Sequence, residues 1–434
     1  MQTGARAVAF LVGLGVTPTS RAAPPPCDLP VVPNAARDLT TVALDVRLSA
    51  REGTARLNVA AGAPGLTLDT GDLDIRGVRR ACGAARWEES PGRIDVAMSA
   101  EAEWVEIDYR WKVHEQFNGA SFDGWTFTWP DHCGNLYPCH PNPGDGVAFT
   151  LQVRDLPPHT RAIYAPRLDS EGPPYMLGWA VGPYAELGLG LTRSGRLVSA
   201  FALIEDLAAI QAGTVGLVAT LDFFEAWLGP YRYGRHLGSV AVAWPGAAVG
   251  GMEHHPFWHV ATAEIADPFV HRHEAAHGWF GNGVRIACPE DLVLSEGVAE
   301  YLTVRAFEAV DGPAAADAQW EALGQQLLDI VAKHDTVALP DATCGAIHLS
   351  SHPLWSPVPY LKGAFFLREV ERGAGRVAFD AALAAFWAEH QGGATRMRDL
   401  IDTLRTHTGY DTQQAEDRWL RSTGFPAESS WRTW

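Results

Sequence analysis

Positive charge is scarce in this chain. Its 34 Lys and Arg stand against 51 Asp and Glu, a net charge of −17 over 434 residues. An acidic balance of that size argues against nucleic acid and anionic membranes as partners, and it favours solubility. No C-x-x-C occurs among the six cysteines, which argues against a zinc finger and a thioredoxin-type motif. Long apolar runs are missing as well. The one candidate, Ala7 to Val16, is too short to span a bilayer. With Arg6 before it and small residues from Ser20 to Ala23 behind it, it has the shape of a secretory signal peptide over residues 1–23. Cys27 lacks the small-residue context of a lipid anchor, so a soluble exported protein, periplasmic or extracellular, is expected. There is no internal repeat and no low-complexity tract beyond Ala-Pro-Pro-Pro at 23–26.

The cysteines that are present fit that compartment. Cys27, Cys82, Cys133, Cys139, Cys288 and Cys344 are even in number and suggest disulfides. The sequence leaves their connectivity open; Cys133 and Cys139 are the most natural pair by proximity.

The length allows two or three domains, and two rhythms divide it. From about 40 to 205 the apolar residues alternate. Val42, Leu44, Val46 and Leu48 share one face, as do Val105, Ile107, Tyr109, Trp111 and Val113, and as do Val147, Phe149, Leu151 and Val153. Period two predicts half-buried strands, punctuated by Gly, Pro and Asp, in an antiparallel sandwich or saddle over 27–208. From about 210 the period changes to 3.6. "LDFFEAWLG", "FVHRHEAAHGWFG", "EGVAEYLTVRAFEAV", "EALGQQLLDIVAKH", "YLKGAFFLREVERG", "VAFDAALAAFWAEH", "MRDLIDTLRTHTG" and "QAEDRWLRSTG" read as helices, several ending at Gly. "LGSVAVAW" is a strand among them.

"HRHEAAHGWFGN", residues 271 to 282, carries the chemistry. On a helix His273 and His277 lie on one face and can share a zinc ion. Glu274 stands about 100° round the helix from His273, where a carboxylate can hold a water and take its proton. Chance histidines on a solvated helix are the plainer alternative. A catalytic zinc needs a third protein ligand and an open position. Glu296, after eighteen intervening residues that contain Gly and Pro, can supply it from the start of a second helix. A first-turn Glu that complements the helix dipole is the competing account. His271 points away from that face and reads as surface or supporting. His254, His255 and His259 would be ligands only through long-range folding. Glu300, one turn beyond Glu296, either orients His273 through its second nitrogen or faces water.

These residues resemble the M1 family of zinc aminopeptidases, the gluzincins that include leukotriene A4 hydrolase. "HEAAHGWFGN", the spacing to "SEGVAEYL", "GGMEH" at 250–254, "PYLKGAFFL" at 359–367 and "YPCHPNPGDGVAFTLQV" at 137–153 carry the resemblance, in order, from about 40 to 425. The resemblance implies an α+β multidomain fold: a β saddle domain, then a mostly helical, thermolysin-like zinc peptidase domain at 209–434. It implies one zinc per chain held by His273, His277 and Glu296, with Glu274 as general base and later acid. It implies that Glu253 binds the free α-amino group of a peptide. Gly250, Gly251, Met252 and His254 would lie along the substrate, and Tyr360 would donate to the oxyanion. Each role makes physical sense. A phenol stays protonated at neutral pH, and a substrate ammonium needs a fixed counter-charge.

The match breaks in three places. His254 stands where the family has Asn, and it is larger and can titrate. No glutamine occurs in "FTWPDHCGNLYPC", where the family offers one near the amino-group site; Trp129, Asp131 or His132 are the candidates to replace it. Family members usually continue into further C-terminal domains. Here the stretch after "DRWL" ends the sequence, so an open cleft is expected, or one covered by a second subunit or by the helical stretch at 312–335. The first reading is therefore an exported zinc aminopeptidase acting on peptides with a free N-terminus. An open-cleft zinc hydrolase without a strict exopeptidase rule is a second reading. A non-catalytic, zinc-stabilised peptide-binding scaffold is a third, against which the intact Glu274 and Tyr360 speak.

Overall fold

Alternating apolar residues build the first half. The computed structural model describes residues 27–426, apart from 116, 245–249 and 335; the expected signal peptide lies outside the described residues. Val42, Leu44 and Val46 are buried on strand Leu39–Arg47, while Val105, Ile107 and Tyr109 are buried on Glu103–Arg110. Both belong to a seven-stranded sheet, ordered Arg167–Gly172, Val147–Arg154, Leu39–Arg47, Glu52–Val59, Glu103–Arg110, Asp74–Arg80, Gly83–Ala84. The sheet is mixed, not purely antiparallel as the alternation suggested. Leu39–Arg47 runs parallel to Val147–Arg154, pairing Val42 with Phe149 and Leu44 with Leu151. A three-stranded sheet of Leu66–Gly71, Gly92–Val96 and Trp87–Ser90 adds a second layer.

The second half pairs a five-stranded sheet with helices. That sheet runs Ala185–Leu191, Leu197–Ala202, His236–Val242, Phe257–Ala261, Gly251–Met252. Its first two strands precede the 208/209 boundary drawn from sequence. They hydrogen-bond into the sheet that ends beside the metal-ligand candidates, so the changeover falls before Ala185. Composition misplaced it because strands read alike whichever sheet they join. Helix Pro268–Ala276 packs on strands Gly251–Met252 and Phe257–Ala261 and on helix Leu292–Asp311, which in turn packs on Val358–Ala374. The last predicted helix is broken: a short turn at Gln413–Ala415 is followed by a wider π turn at Glu416–Leu420.

Two glycines set the spacing of the central helices. A Cβ on Gly297 would fall 2.8 Å from the Gly363 Cα, and one on Gly363 would fall 2.7 Å from the Gly297 Cα. Backbone touches backbone there, so Leu292–Asp311 and Val358–Ala374 approach as closely as helices can. Glu296 and Tyr360 sit within one turn of that contact.

Three disulfides pin the chain: Cys27–Cys82, Cys133–Cys139 and Cys288–Cys344. No single helix among the described residues is long and apolar enough to cross a membrane.

Candidate active site

Asp267 starts the helix that carries the two histidines. Its side chain accepts from the Phe269 N–H at 2.9 Å, with Pro268 in the first turn. His277 still has helical backbone angles at the C-cap, so the four-residue spacing places both imidazoles on one face. Their Nε2 atoms lie 3.1 Å apart. Glu296, from the next helix, brings its Oε2 to 3.4 Å from His273 Nε2 and 3.3 Å from His277 Nε2. All three are buried.

Their chemistry fits a cation. His277 Nδ1 is 3.0 Å from the Phe280 carbonyl, which can only accept, so Nδ1 carries the proton. Glu300 Oε2 stands 2.8 Å from His273 Nδ1, a charge contact off the hydrogen-bond angle that favours a proton on that nitrogen. Both Nε2 lone pairs then point with a carboxylate oxygen at one spot that no protein proton fills. Donors about 2.0–2.1 Å from a tetrahedral zinc stand about 3.3 Å apart, which is the spacing observed. Zinc therefore fits. Glu300 is the orienting partner the sequence left undecided.

The carboxylates here are pushed apart by their surroundings. Burial opposes ionisation of Glu296, but His277 and His273 outweigh it and hold its pKa at about 2. Glu274 is raised to about 8: burial dominates, and the same two imidazoles only partly offset it. Two carboxyl groups with opposite tendencies are a common basis for divided roles. Glu274 packs against the edge strand, where a Cβ on Gly251 would fall 2.3 Å from its Oε1. Only glycine lets backbone pass that close. Tyr360 lays its ring nearly parallel to His273, centroids 5.9 Å apart. Burial, then repulsion from Glu296, Glu253 and Glu274, keeps its hydroxyl protonated well above 10.

Glu253 is buried, and its Oε1 has no hydrogen-bond partner. Burial raises its pKa, with His277 opposing. With Gly250, Gly251, Glu274 and Tyr360 it lines a cleft of about 710 Å³ over the ligand cluster. A larger hollow of about 980 Å³ lies on the β half, among strand residues whose charges already pair, such as Arg79 with Glu106 and Asp108.

Three expectations change. Met252 is buried in the core and does not line the cleft, because alternation along Gly251–Met252 turns it to the opposite face from Gly251. His254 turns the same way. Its Nδ1 is 3.2 Å from the Met176 carbonyl and its Nε2 is 3.1 Å from the Thr126 carbonyl, so it grips the β half and not a substrate. His271 is fully buried, held by Ser239 Oγ at 2.8 Å and the Ile265 carbonyl at 2.9 Å, and is not a surface residue. His255 and His259 lie outside the ligand cluster.

Other roles are not legible in the sequence. His255 Nε2 sits 2.8 Å from the Glu274 carbonyl, with Tyr231 at 2.7 Å from its other nitrogen. Asn282 donates to the Glu253 carbonyl at 2.8 Å. Tyr175 faces the Glu253 carboxylate, and Trp129 and Trp355 wall the cleft. Asn282 was visible inside the histidine motif, and Trp129 in the segment expected near the amino-group site; Tyr175 and Trp355 carried no local signal. Gln326, on helix Pro313–Val331, is the residue of the 312–335 stretch that reaches the cleft.

Comparison with known proteins agrees with this geometry. The peptidase family M1 domain matches residues 218–419. Leucine aminopeptidase 2 of Aspergillus niger is 25% identical over 335 residues, covering 70% of this chain and 53% of that protein. Aminopeptidase N of Lactococcus lactis subsp. lactis is 32% identical over 173 residues, covering 36% of this chain and 19% of that one. The chain thus spans about half the length, or less, of these curated relatives. A two-domain M1 zinc metallopeptidase crystallised with L-arginine superposes with a TM-score of 0.76 at 18% identity, over 90% of this chain and 95% of that one. Native yeast LTA4 hydrolase gives 0.76 at 18%, over 91% and 69%. At that identity these two structures establish a shared fold.

Proposed function

We propose that this chain, whose residues 218–419 match the peptidase family M1 domain, is a zinc-dependent aminopeptidase of that family that removes N-terminal residues from peptides. The observation that carries the proposal is a pairing of two features in one cleft. A three-donor metal cradle, His273, His277 and Glu296, lies beside a buried carboxylate, Glu253, whose Oε1 has no partner. A free ammonium supplies both the charge and the hydrogen bonds that carboxylate lacks.

One zinc per chain, held by His273, His277 and Glu296, would act as a Lewis acid toward water and the scissile carbonyl. Glu274 takes the proton of the attacking water and returns it to the leaving amine, a task suited to a carboxyl raised toward neutrality. Tyr360 donates its hydroxyl to the developing oxyanion. Glu253 holds the ammonium, and Gly250 and Gly251 give the substrate backbone room against the edge strand. Glu300 keeps His273 in the tautomer that leaves Nε2 free. Nothing in the cleft favours a scaffold or an unrestricted endopeptidase.

We also propose an exported location. All six cysteines are paired among the described residues, and disulfides persist in oxidising compartments.

Turnover of an unblocked aminoacyl reporter, its loss with a chelator, and its loss in Glu274→Gln are expected. Equal turnover of N-acetylated and free peptides would remove Glu253 from the amine and refute the exopeptidase reading.

A further inference from the structure

The cleft has a direction. Gly250 lies against Val270, where a Cβ would fall 3.3 Å from its side chain, and Gly251 lies against Glu274. Glu253 comes two residues further on. A substrate with its ammonium at Glu253 therefore sets its first residue on that side of Glu274, and its leaving group toward Val270 and Phe269.

The Glu253 end is aromatic. Trp129 packs on Tyr175 with centroids 4.2 Å apart, and the Tyr175 hydroxyl faces Glu253. Trp355 stands 6.1 Å from Trp129 at 63°. Phe117 and Phe127, 5.0 Å apart, extend the lining. No Lys or Arg lines the cleft among the described residues, whereas five carboxylates do: Glu253, Asp267, Glu274, Glu296 and Glu300.

The wall is fixed in place. Trp355 lies on the connection that leads into the Tyr360 helix. That connection is tied by Cys288–Cys344, by Gly345 and Ile347 N–H groups donating to Glu290 at 3.0 and 2.9 Å, and by Ser350 Oγ donating to Asp131 at 3.1 Å. Asp131 belongs to the β half, two residues from Trp129. Both tryptophans are therefore held from both halves of the molecule.

We propose that the Trp129–Trp355 wall receives the first side chain of the substrate, so that this enzyme selects peptides with a large apolar N-terminal residue and rejects those that begin with Asp or Glu. The inference rests on the aminopeptidase reading above and adds its specificity. A large apolar side chain removes its surface from water against indole faces, whereas alanine leaves most of that area unfilled. The gain is about 10- to 100-fold in kcat/KM. An acidic first residue brings a second carboxylate beside Glu253, against a wall where no Lys or Arg among the described residues is placed to pair it, and is rejected more strongly.

The test is a panel of phenylalanyl, leucyl, alanyl and glutamyl p-nitroanilides on the zinc-loaded enzyme and on Trp355→Ala. Phe and Leu ahead of Ala by at least about 10-fold, Glu last, and a collapsed Phe-to-Ala ratio in the variant are expected. Alanyl or glutamyl turnover equal to phenylalanyl in the wild type overturns the wall, and so does an unchanged ratio in Trp355→Ala. If Trp355→Ala does not fold, Trp355→Phe takes its place, with a smaller fall in the ratio expected. Failure on every free-amine substrate sinks the aminopeptidase reading instead. The wall is then judged by calorimetry of free L-phenylalanine, L-alanine and L-glutamate on Glu274→Gln. Preference for phenylalanine upholds it; equal or absent binding overturns it.

Discussion

Gly297→Ala tests whether backbone contact between two helices places the catalytic phenol. The added Cβ would lie 2.8 Å from the Gly363 Cα and 3.1 Å from the Pro359 carbonyl oxygen. Carbon atoms settle at about 3.5–4.0 Å, so the helices must part by roughly 1 Å. On an unhindered helix the substitution would stabilise by about 1 kcal/mol; overpacking at about 1–3 kcal/mol outweighs it here. Tyr360 lies three residues before Gly363, on the same face, and its ring rides over His273 at 5.9 Å. A shift of that size at a reacting group costs on the order of 100-fold. Because the hydroxyl acts on the transition state, kcat should fall by about 10- to 100-fold while KM barely moves. Tyr360→Phe alone should lose about 100- to 1,000-fold. Adding Gly297→Ala to Tyr360→Phe should then cost little more, since the group it displaces is already gone. Steady-state kinetics on a free-amine reporter and a thermal melt measure both effects. A raised melting temperature with kcat intact, or an equal kcat penalty in the Tyr360→Phe background, would refute the argument.

Three other outcomes follow from the structure. Glu300→Ala frees the Nδ1 side of His273 and should weaken zinc binding by about 10- to 100-fold, read by competition with a fluorescent chelator; unchanged affinity would mean that Glu300 does not orient the ring. Burial lowers the pKa of His254 to about 4 and of His255 to about 3. The unfolded chain takes up their protons first, as pH falls through 6.5, so stability is full above that value and is lost down to the folded pKa, by about 3 kcal/mol for His254. Urea midpoints between pH 7 and 4.5 should show this slope, and His254→Asn should flatten it. Removing both cysteines of the Cys288–Cys344 pair should cost about 2–4 kcal/mol and raise KM for large apolar substrates, because Trp355 sits on the freed connection; a melting temperature and a KM equal to wild type would contradict both.

The sequence revealed what local periodicity controls. Alternation identified the strands of the β half, but not that Leu39–Arg47 lies parallel to Val147–Arg154, because a period of two fixes a strand's face and not its partner. Helical spacing identified His273 and His277, and the same spacing from Glu296 to Glu300 held the answer for the second carboxylate, four residues on and facing the same histidine. "GGMEH" contained its own correction. Gly251 and Glu253 line the cleft, while the intervening Met252 and the following His254 turn away from it. Helical spacing puts His271 on the side away from the ligands but does not tell its environment, because the five-stranded sheet, with Ser239, covers that side. Trp129, Tyr175 and Trp355 come from segments far apart in the chain. Only the packing of the two halves makes them a wall.

That packing gives the β half a part in the proposed chemistry. Glu253 sits on a turn just past a two-residue edge strand, too short to hold a buried carboxylate by its own ladder. Its position is set from outside. Asn282 grips its carbonyl from the loop after the histidine helix, His254 ties the next residue to the β half through its one N–H, which the Thr126 or the Met176 carbonyl accepts, and Tyr175 faces its carboxylate. Two of those three supports come from residues that precede the catalytic sheet. A buried acid without a partner is costly, and it keeps its place only where the surrounding contacts over-determine it. The proposed ammonium site is therefore a property of the interface between the halves: the helices supply the metal cradle, and under that proposal the β half fixes where a peptide must begin.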